Sequence, residues 1–272
     1  MDRNRKISIM GIVNLTEDSY FAQSRCTDVG AALVRISSML EEGADIIDIG
    51  ACSSRPGSVQ IGADAEWERI EPVLKAVKET FPHVALSIDT IWASVVRRSH
   101  AIVGEFMVND ISAGEDDPDM LPTVGSLSLP YIAMHKRGNP ADMQHLASYD
   151  DVVEDVFDYF MDFSLRAESC GISGWILDPG FGFAKTVEQN YQLLSGISRF
   201  KDIKHNDGEA VRILVGISRK SMIYRYLDIA PEDAHPATQV LHLSALQGGA
   251  DILRVHDVAE AVRTLKLYRA LA

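Results

Sequence analysis

The sequence predicts an α/β fold in which eight parallel strands alternate with helices and close into a barrel, a (β/α)8 single domain over residues 1–272. Three observations predict it. Eight short apolar or β-branched runs are bounded by turn signals, and the stretches between them show helical spacing. Seven times an apolar run stops abruptly at a polar or charged residue. In a parallel barrel all strand C-termini open on one face, so such residues meet there although they are far apart in sequence. An open doubly wound sheet is the competing architecture, but it gathers ligands at one switch point rather than at seven strand ends.

The runs lie at roughly residues 7–13, 45–49, 85–89, 106–110, 131–134, 175–178, 213–217 and 252–255. Leu33, Ile36, Met39 and Leu40 form a helical stripe that stops at Gly43, and Val153, Val156, Phe157, Phe160 and Met161 form one that stops at Gly171. Asp257 opens a last helix with Val258, Ala261, Val262 and Leu265 on one stripe. Pro72 sits within the pattern from Trp67 to Val77 and should kink that helix or mark its first turn. The connections 14–27 and 51–64 are long, a length typical of lids and binding loops. The second carries Ser53-Ser54-Arg55-Pro56-Gly57, whose Pro-Gly turn either presents Arg55 to a ligand or is a solvated turn.

A chain of 272 residues folded as one unit buries roughly three quarters of its unfolded surface, so a large core is available. Hydrophobic residues at 46% and charged residues at 24% are ordinary globular usage and exclude disorder. The formal charge of −13 argues against general attraction to nucleic acid or an anionic membrane, so an anionic ligand needs a local basic pocket. Cys26, Cys52 and Cys170 form no CxxC pair, which suggests reducing cytosol rather than a disulfide framework or a zinc site. No run is apolar enough for a signal peptide or a membrane span, and a cytoplasmic protein is expected.

The polar stops fall into two sets. Asn14 follows ISIMGIV, Asp89 follows ALSI, Asn109 follows FMV, His135 follows YIAM and Asp178 follows WIL. A carboxylate held in a barrel mouth needs a ligand donor, a metal or a proton, and a heterocycle rich in ring NH and amino groups suits Asp89, Asn109 and Asp178 together. Each could instead cap the following helix. Ser218-Arg219-Lys220 follows ILVGI, and Arg254 and His256 alternate within ILRVH, so three basic groups stand at the last two strand ends, where barrels of this class often bind phosphate. In LDPGFGF, residues 177–183, Gly180 and Gly182 suit close backbone approach to a flat ligand, with Phe183 available to cover it. No nucleophilic triad, HExxH or nucleotide P-loop is present.

Taken in order, MGIVNLTEDS, ADIIDIG with SSRPG, SIDT, NDIS, MHKRGNP, LDPGFGFAKT, LVGISRKSM and LRVHDV resemble the dihydropteroate synthases of the folate pathway over nearly the whole chain. The resemblance implies a transferase that joins 6-hydroxymethyl-7,8-dihydropterin pyrophosphate to p-aminobenzoate, giving 7,8-dihydropteroate and pyrophosphate, and that is a sulfonamide target. It implies that Asp89, Asn109, Asp178 and Lys220 hold the pterin, with Met134, Phe183 and Gly216 shaping its slot. Arg254 and His256, helped by Ser54 and Arg55, would hold the pyrophosphate, with Mg2+ near Asn14; Ser218 and the helix start beyond it would receive the p-aminobenzoate carboxylate. Lys220, Arg254, His256 and Asp89 would carry the catalysis, in a homodimer joined through outer helices. The sequence departs from the family pattern at Glu17, Tyr20, Ala22-Gln23-Ser24, Cys52 and Ser54, all in the two long loops, which leaves turnover and sulfonamide response open. Two alternatives stand beside this reading. A related pterin methyltransferase working with a corrinoid partner would not need Lys220, Arg254 and His256; a pterin-binding paralogue without turnover would bind and form no product.

Overall fold

The apolar runs form eight strands: β1 Ser8–Asn14, β2 Ile46–Gly50, β3 Leu86–Asp89, β4 Met107–Asp110, β5 Tyr131–Met134, β6 Trp175–Asp178, β7 Arg212–Val215 and β8 Ile252–Val255. The computed structural model describes residues 5–15, 28–52, 60–138 and 143–271. Each strand pairs in parallel with the next, and β8 pairs with β1, so the sheet closes into the expected barrel.

Among the described residues the strands are joined by helices α1 Val29–Glu42, α2 Ala63–Thr80, α3 Ala93–Val103, α4 Met120–Leu127, α5 Val152–Ser169, α6 Val187–Ser195, α7 Ser221–Leu227 and α8 His235–Gly248, and α9 Val258–Leu271 follows β8. Local chemistry sets several ends. Asp28 accepts from the Ala31 amide at 2.8 Å to start α1, and Gly43 ends it with φ at 103°. Asp151 caps α5, and Thr186 with Gln189 forms a reciprocal capping box on α6.

One expectation is corrected, and of the two alternatives for Pro72 one is excluded. The buried stripe of α5 runs through Val152, Val156, Phe160, Phe163 and Ala167, while Met161 is 45% exposed. A three-and-four spacing counted from Val152 leaves Met161 on the solvent side. Pro72 marks no first turn: α2 begins nine residues earlier at Ala63 and continues through it, forgoing the one bond its N–H would have made.

Side chains two residues apart on a strand share a face, and that period builds the interior. Met10, Ile46, Met107, Ile132, Ile176, Leu214 and Ile252 pack together as an apolar plug inside the barrel, separate from the larger core between strands and helices. Two residues further along each strand stand Ile12, Asp48, Asn109, Met134, Asp178, Gly216 and Arg254. The polar mouth is thus the layer directly above the plug.

Asp110, one residue beyond Asn109, points its carboxylate into the structure and accepts from the Ser112 amide and hydroxyl at 2.7 Å each, the Gly114 amide at 2.9 Å and the Tyr131 hydroxyl at 2.6 Å. Burial alone would push this acid up, and these four donors oppose that. Tyr131→Phe should therefore cost on the order of 2 kcal/mol in urea unfolding; an unchanged midpoint would remove this bond from the forces holding β4 to β5.

Candidate active site

Asn14, Gly50, Asp89 and Asn109 are register partners in one row across the C-terminal ends of β1 to β4. A Cβ on Gly50 would lie 3.1 Å from the Asp89 Cβ, so the glycine makes room for that carboxylate. Asp89, Asn109 and Asp178 cap no helix. The caps of α3, α4 and α6 are Trp92, Asp119 and Thr186, which leaves the three side chains to the mouth.

At the centre is Arg254. Its Nε donates to Asp48 at 2.7 Å and its Nη2 to Asp89 at 2.7 Å, joining β8 to β2 and β3. Asp48 is fully buried and also receives the Asn109 amide nitrogen at 3.3 Å. Burial pushes Asp89 above the usual carboxylate range against the pull of Arg254, and Asp48, Asp110 and Asp178 push in the same direction as burial. By sequence alone Arg254 groups with the anion ligands, and Asp48 is hidden inside an apolar run. Its signal was the period: an aspartate two residues before a strand-ending glycine, in line with the mouth.

Across the opening, Asp178 accepts from the Gly180 amide at 2.8 Å. Burial raises its pKa, chiefly opposed by Lys220. Lys220 is itself pulled down to about 8 by burial, with Asp178 opposing, and its ammonium stands 4.9 Å from the Phe183 ring centroid. A Cβ on Gly216 would lie 3.9 Å from both Asp178 Oδ2 and Arg254 Cβ. The acid and the arginine thus flank one open position on the same rim. The apolar wall consists of Met134, Met143, Phe183 and Ala184, with Ile111 against them; the sequence reading named Met134 and Phe183 and missed the other three.

The expected basic set is corrected in one respect. His256 carries no positive charge near neutrality, because burial first, then Arg254, Arg219 and Arg35, hold it down to about 3. It remains a hydrogen-bonding group, with Nδ1 at 3.1 Å from Ser218 Oγ. Arg219 adopts φ of 55° and donates twice to Asp257, at 2.8 and 2.7 Å, which locks the loop after β7 to that after β8. Cys52 is half-buried and burial pushes its thiol up. Ser54, Arg55, Glu17, Tyr20 and residues 22–24 lie outside the described residues.

Asn14 ends β1 half-buried and offers a single amide oxygen. Among the described residues no group of three or more His, Cys, Asp and Glu could cage a metal ion. An amide oxygen is a hard donor of the kind magnesium takes, an ion that keeps most of its waters and is commonly shared between few protein oxygens and substrate phosphates.

Comparison with known proteins agrees with this geometry. The profile of the pterin binding enzymes matches residues 10–256. Dihydropteroate synthase of Haemophilus influenzae is 40% identical over 266 residues, covering 97% of this chain and 94% of that one. The crystal structure of Yersinia pestis dihydropteroate synthase in a sulfonamide drug complex superposes with a TM-score of 0.90 at 35% identity, covering 100% and 95% of the two chains. That of the Burkholderia cenocepacia enzyme complexed with 7,8-dihydropteroate superposes at 0.86, with 34% identity and 98% and 91% covered. The chain belongs to the pterin-binding enzyme family, and within it to the dihydropteroate synthases of folate biosynthesis.

Asp48→Asn should cost on the order of 2 kcal/mol in denaturant unfolding, since it removes one of the two carboxylates that accept from a partly exposed guanidinium. A variant as stable as the parent would show that Asp89 alone suffices.

Proposed function

We propose that the mouth above the plug performs the condensation of 6-hydroxymethyl-7,8-dihydropterin pyrophosphate with p-aminobenzoate, with the residues in the following roles. The observation that carries the assignment is the pair Asp178 and Arg254 on either side of Gly216. It offers an acceptor for ring NH and amino groups next to a guanidinium fork for phosphate oxygens.

In this reading Asp178, Asn109 and Asp89 accept and donate along the edge of the pterin, Lys220 reaches its ring, and Met134 and Phe183 cover its faces. Arg254 and neutral His256, with Ser54 and Arg55, grip the pyrophosphate. Ser218 and the turn into α7 receive the p-aminobenzoate carboxylate. Magnesium, reached by the Asn14 amide oxygen, would reduce the cost of the charge on the departing pyrophosphate. The methylene C–O bond breaks first. The buried acids then favour the cation left on carbon, the amine attacks it, and the proton lost from nitrogen passes to solvent. A homodimer through the outer helices is part of the same proposal, since Tyr226 and Leu227 on α7, Val240 on α8 and Leu267 and Leu271 on α9 are exposed apolar side chains.

Formation of dihydropteroate from the two substrates and magnesium is the direct test. Pterin binding without product would favour the inactive paralogue. If pyrophosphate leaves ahead of amine attack, the bridging oxygen label of the pterin pyrophosphate should scramble without p-aminobenzoate; absence of scrambling where pyrophosphate can rotate and return would reject that order. Arg254→Ala should lose about 2–4 kcal/mol of transition-state stabilisation in kcat/KM, and a near-normal rate would take the arginine out of the departing charge's path. Asp178→Asn should mainly weaken pterin binding, which calorimetry reads directly.

A further inference from the structure

Two lysines hold the turn after β6 from different elements. Gly180 and Gly182 adopt φ of 71° and 83°, and a Cβ on Gly180 would sit 1.9 Å from the His135 carbonyl oxygen, so the backbone doubles back tightly against the end of β5. Lys220, before α7, donates to the Phe181 carbonyl. Lys185, beyond the turn, donates to the carbonyls of Gly180 at 3.0 Å and Phe183 at 3.1 Å, and its third neighbour is His135 Nδ1 at 3.0 Å. An ammonium has three donors and no acceptor, and here it meets three acceptors. His135 suits the arrangement, because burial, Lys185 and Arg137 keep its ring neutral and leave a nitrogen lone pair. Lys185 is only 4% exposed and has no part in the roles assigned above.

The held turn is the one that sets the pterin seat. The Gly180 amide donates to Asp178, and Phe183 lies at the turn's far end under the Lys220 ammonium. We propose that Lys185 is a positioning residue for the pterin: its buried ammonium fixes the 180–183 turn against β5 and so sets the aim of the Asp178 carboxylate and the Phe183 ring. This rests on the reading of the mouth as the pterin site.

The groups facing Lys185 are Asp178 from β6, His135 and Arg137 from beyond β5, Lys220 from before α7, and the Tyr149 ring at 6.0 Å. Burial pulls Lys185 down to about 7, with Asp178 opposing and Lys220 and Arg137 reinforcing. The folded value lies below the ordinary 10.5. The ammonium is therefore complete at pH below about 7 and lost as pH rises through it, while an unfolded chain keeps its proton. Stability from this group rises with pH above 7 as its grip on the turn weakens. A merely structural lysine would not make the two diverge.

The test compares Lys185→Met with wild type from pH 6 to 8. At pH 6 the KM for dihydropterin pyrophosphate should rise about tenfold or more, with kcat and the KM for p-aminobenzoate held within about threefold. The variant-to-parent ratio of pterin KM should shrink as pH rises, because burial lowers the Lys185 pKa and the ammonium is lost from the parent alone. A folded variant with the parent's pterin KM, or an equal rise in KM for both substrates, overturns the proposal. If the methionine variant does not fold, Lys185→Gln, which keeps two N–H donors, carries the same comparison: a selective rise in pterin KM supports the role, and no rise, or an equal rise for both substrates, overturns it. Wild type that fails to bind the pterin pyrophosphate would overturn the functional reading and this role together, whereas wild type that binds it beside an equally competent variant overturns Lys185 alone.

Discussion

The mouth of this barrel depends on one shared cation. Arg254 divides its fork between Asp48 and Asp89, residues 206 and 165 positions away. Either acid, left alone above an apolar plug, would face the desolvation cost of a buried charge. Sharing a planar guanidinium between two carboxylates satisfies both and ties the last strand to the second and third. It also leaves the arginine committed to neighbours that an anionic ligand must compete with. A phosphate tail that draws the fork away from Asp89 would free that acid to accept from a nitrogen-rich ring. The two halves of the proposed substrate are then coupled through one side chain.

Why that cation stands where it does follows from strand geometry. The plug residues fill the barrel with Met, Ile and Leu, and the next inward position on each strand is two residues on. Five of those positions are polar or glycine: Asp48, Asn109, Asp178, Gly216 and Arg254. Packing below fixes the height of the layer, and parallel register fixes the neighbours within it. Gly50 then leaves room for the Asp89 carboxylate, and Gly216 leaves the open position between Asp178 and Arg254.

Much of this was legible in the sequence, for physical reasons. An apolar run that stops at Asp178 or Asn109 announces both a strand and its end, because parallel strands buried on both faces read as unbroken hydrophobic stretches. The eight strands were readable to within a few residues; Asp89, Asn109, Asp178 and Arg254 stand at one end of the barrel, whereas His135 turns to Tyr159 and Lys185 behind β5. What was not legible was pairing. Asp48 looks like an interruption in IIDIG until β8 supplies Arg254, and Lys185 looks like a surface lysine until the turn at Gly180 folds its carbonyls onto it. Met161 was misplaced for a related reason: which side of α5 is buried depends on the phase of its stripe, and neighbouring apolar residues blur the phase. Met143 joins the wall from beyond β5 by a route that no spacing rule encodes.

Burial acts on five groups in or beside the mouth in the direction of neutrality. It raises Asp89 and Asp178, lowers Lys185 and Lys220, and leaves His256 uncharged. Arg254 is the exception, because a guanidinium keeps its proton at any pH the fold survives. The ligand-free site therefore combines one permanent cation with several groups whose charge depends on what sits beside them. A ring that donates hydrogen bonds stabilises the acids in their charged form and, through Asp178, the ammonium of Lys220, while an anionic tail would engage Arg254. Binding of a ligand carrying both features would restore the charges that burial suppresses, and the preorganised field needed to favour a carbon cation would be complete only once that ligand is in place.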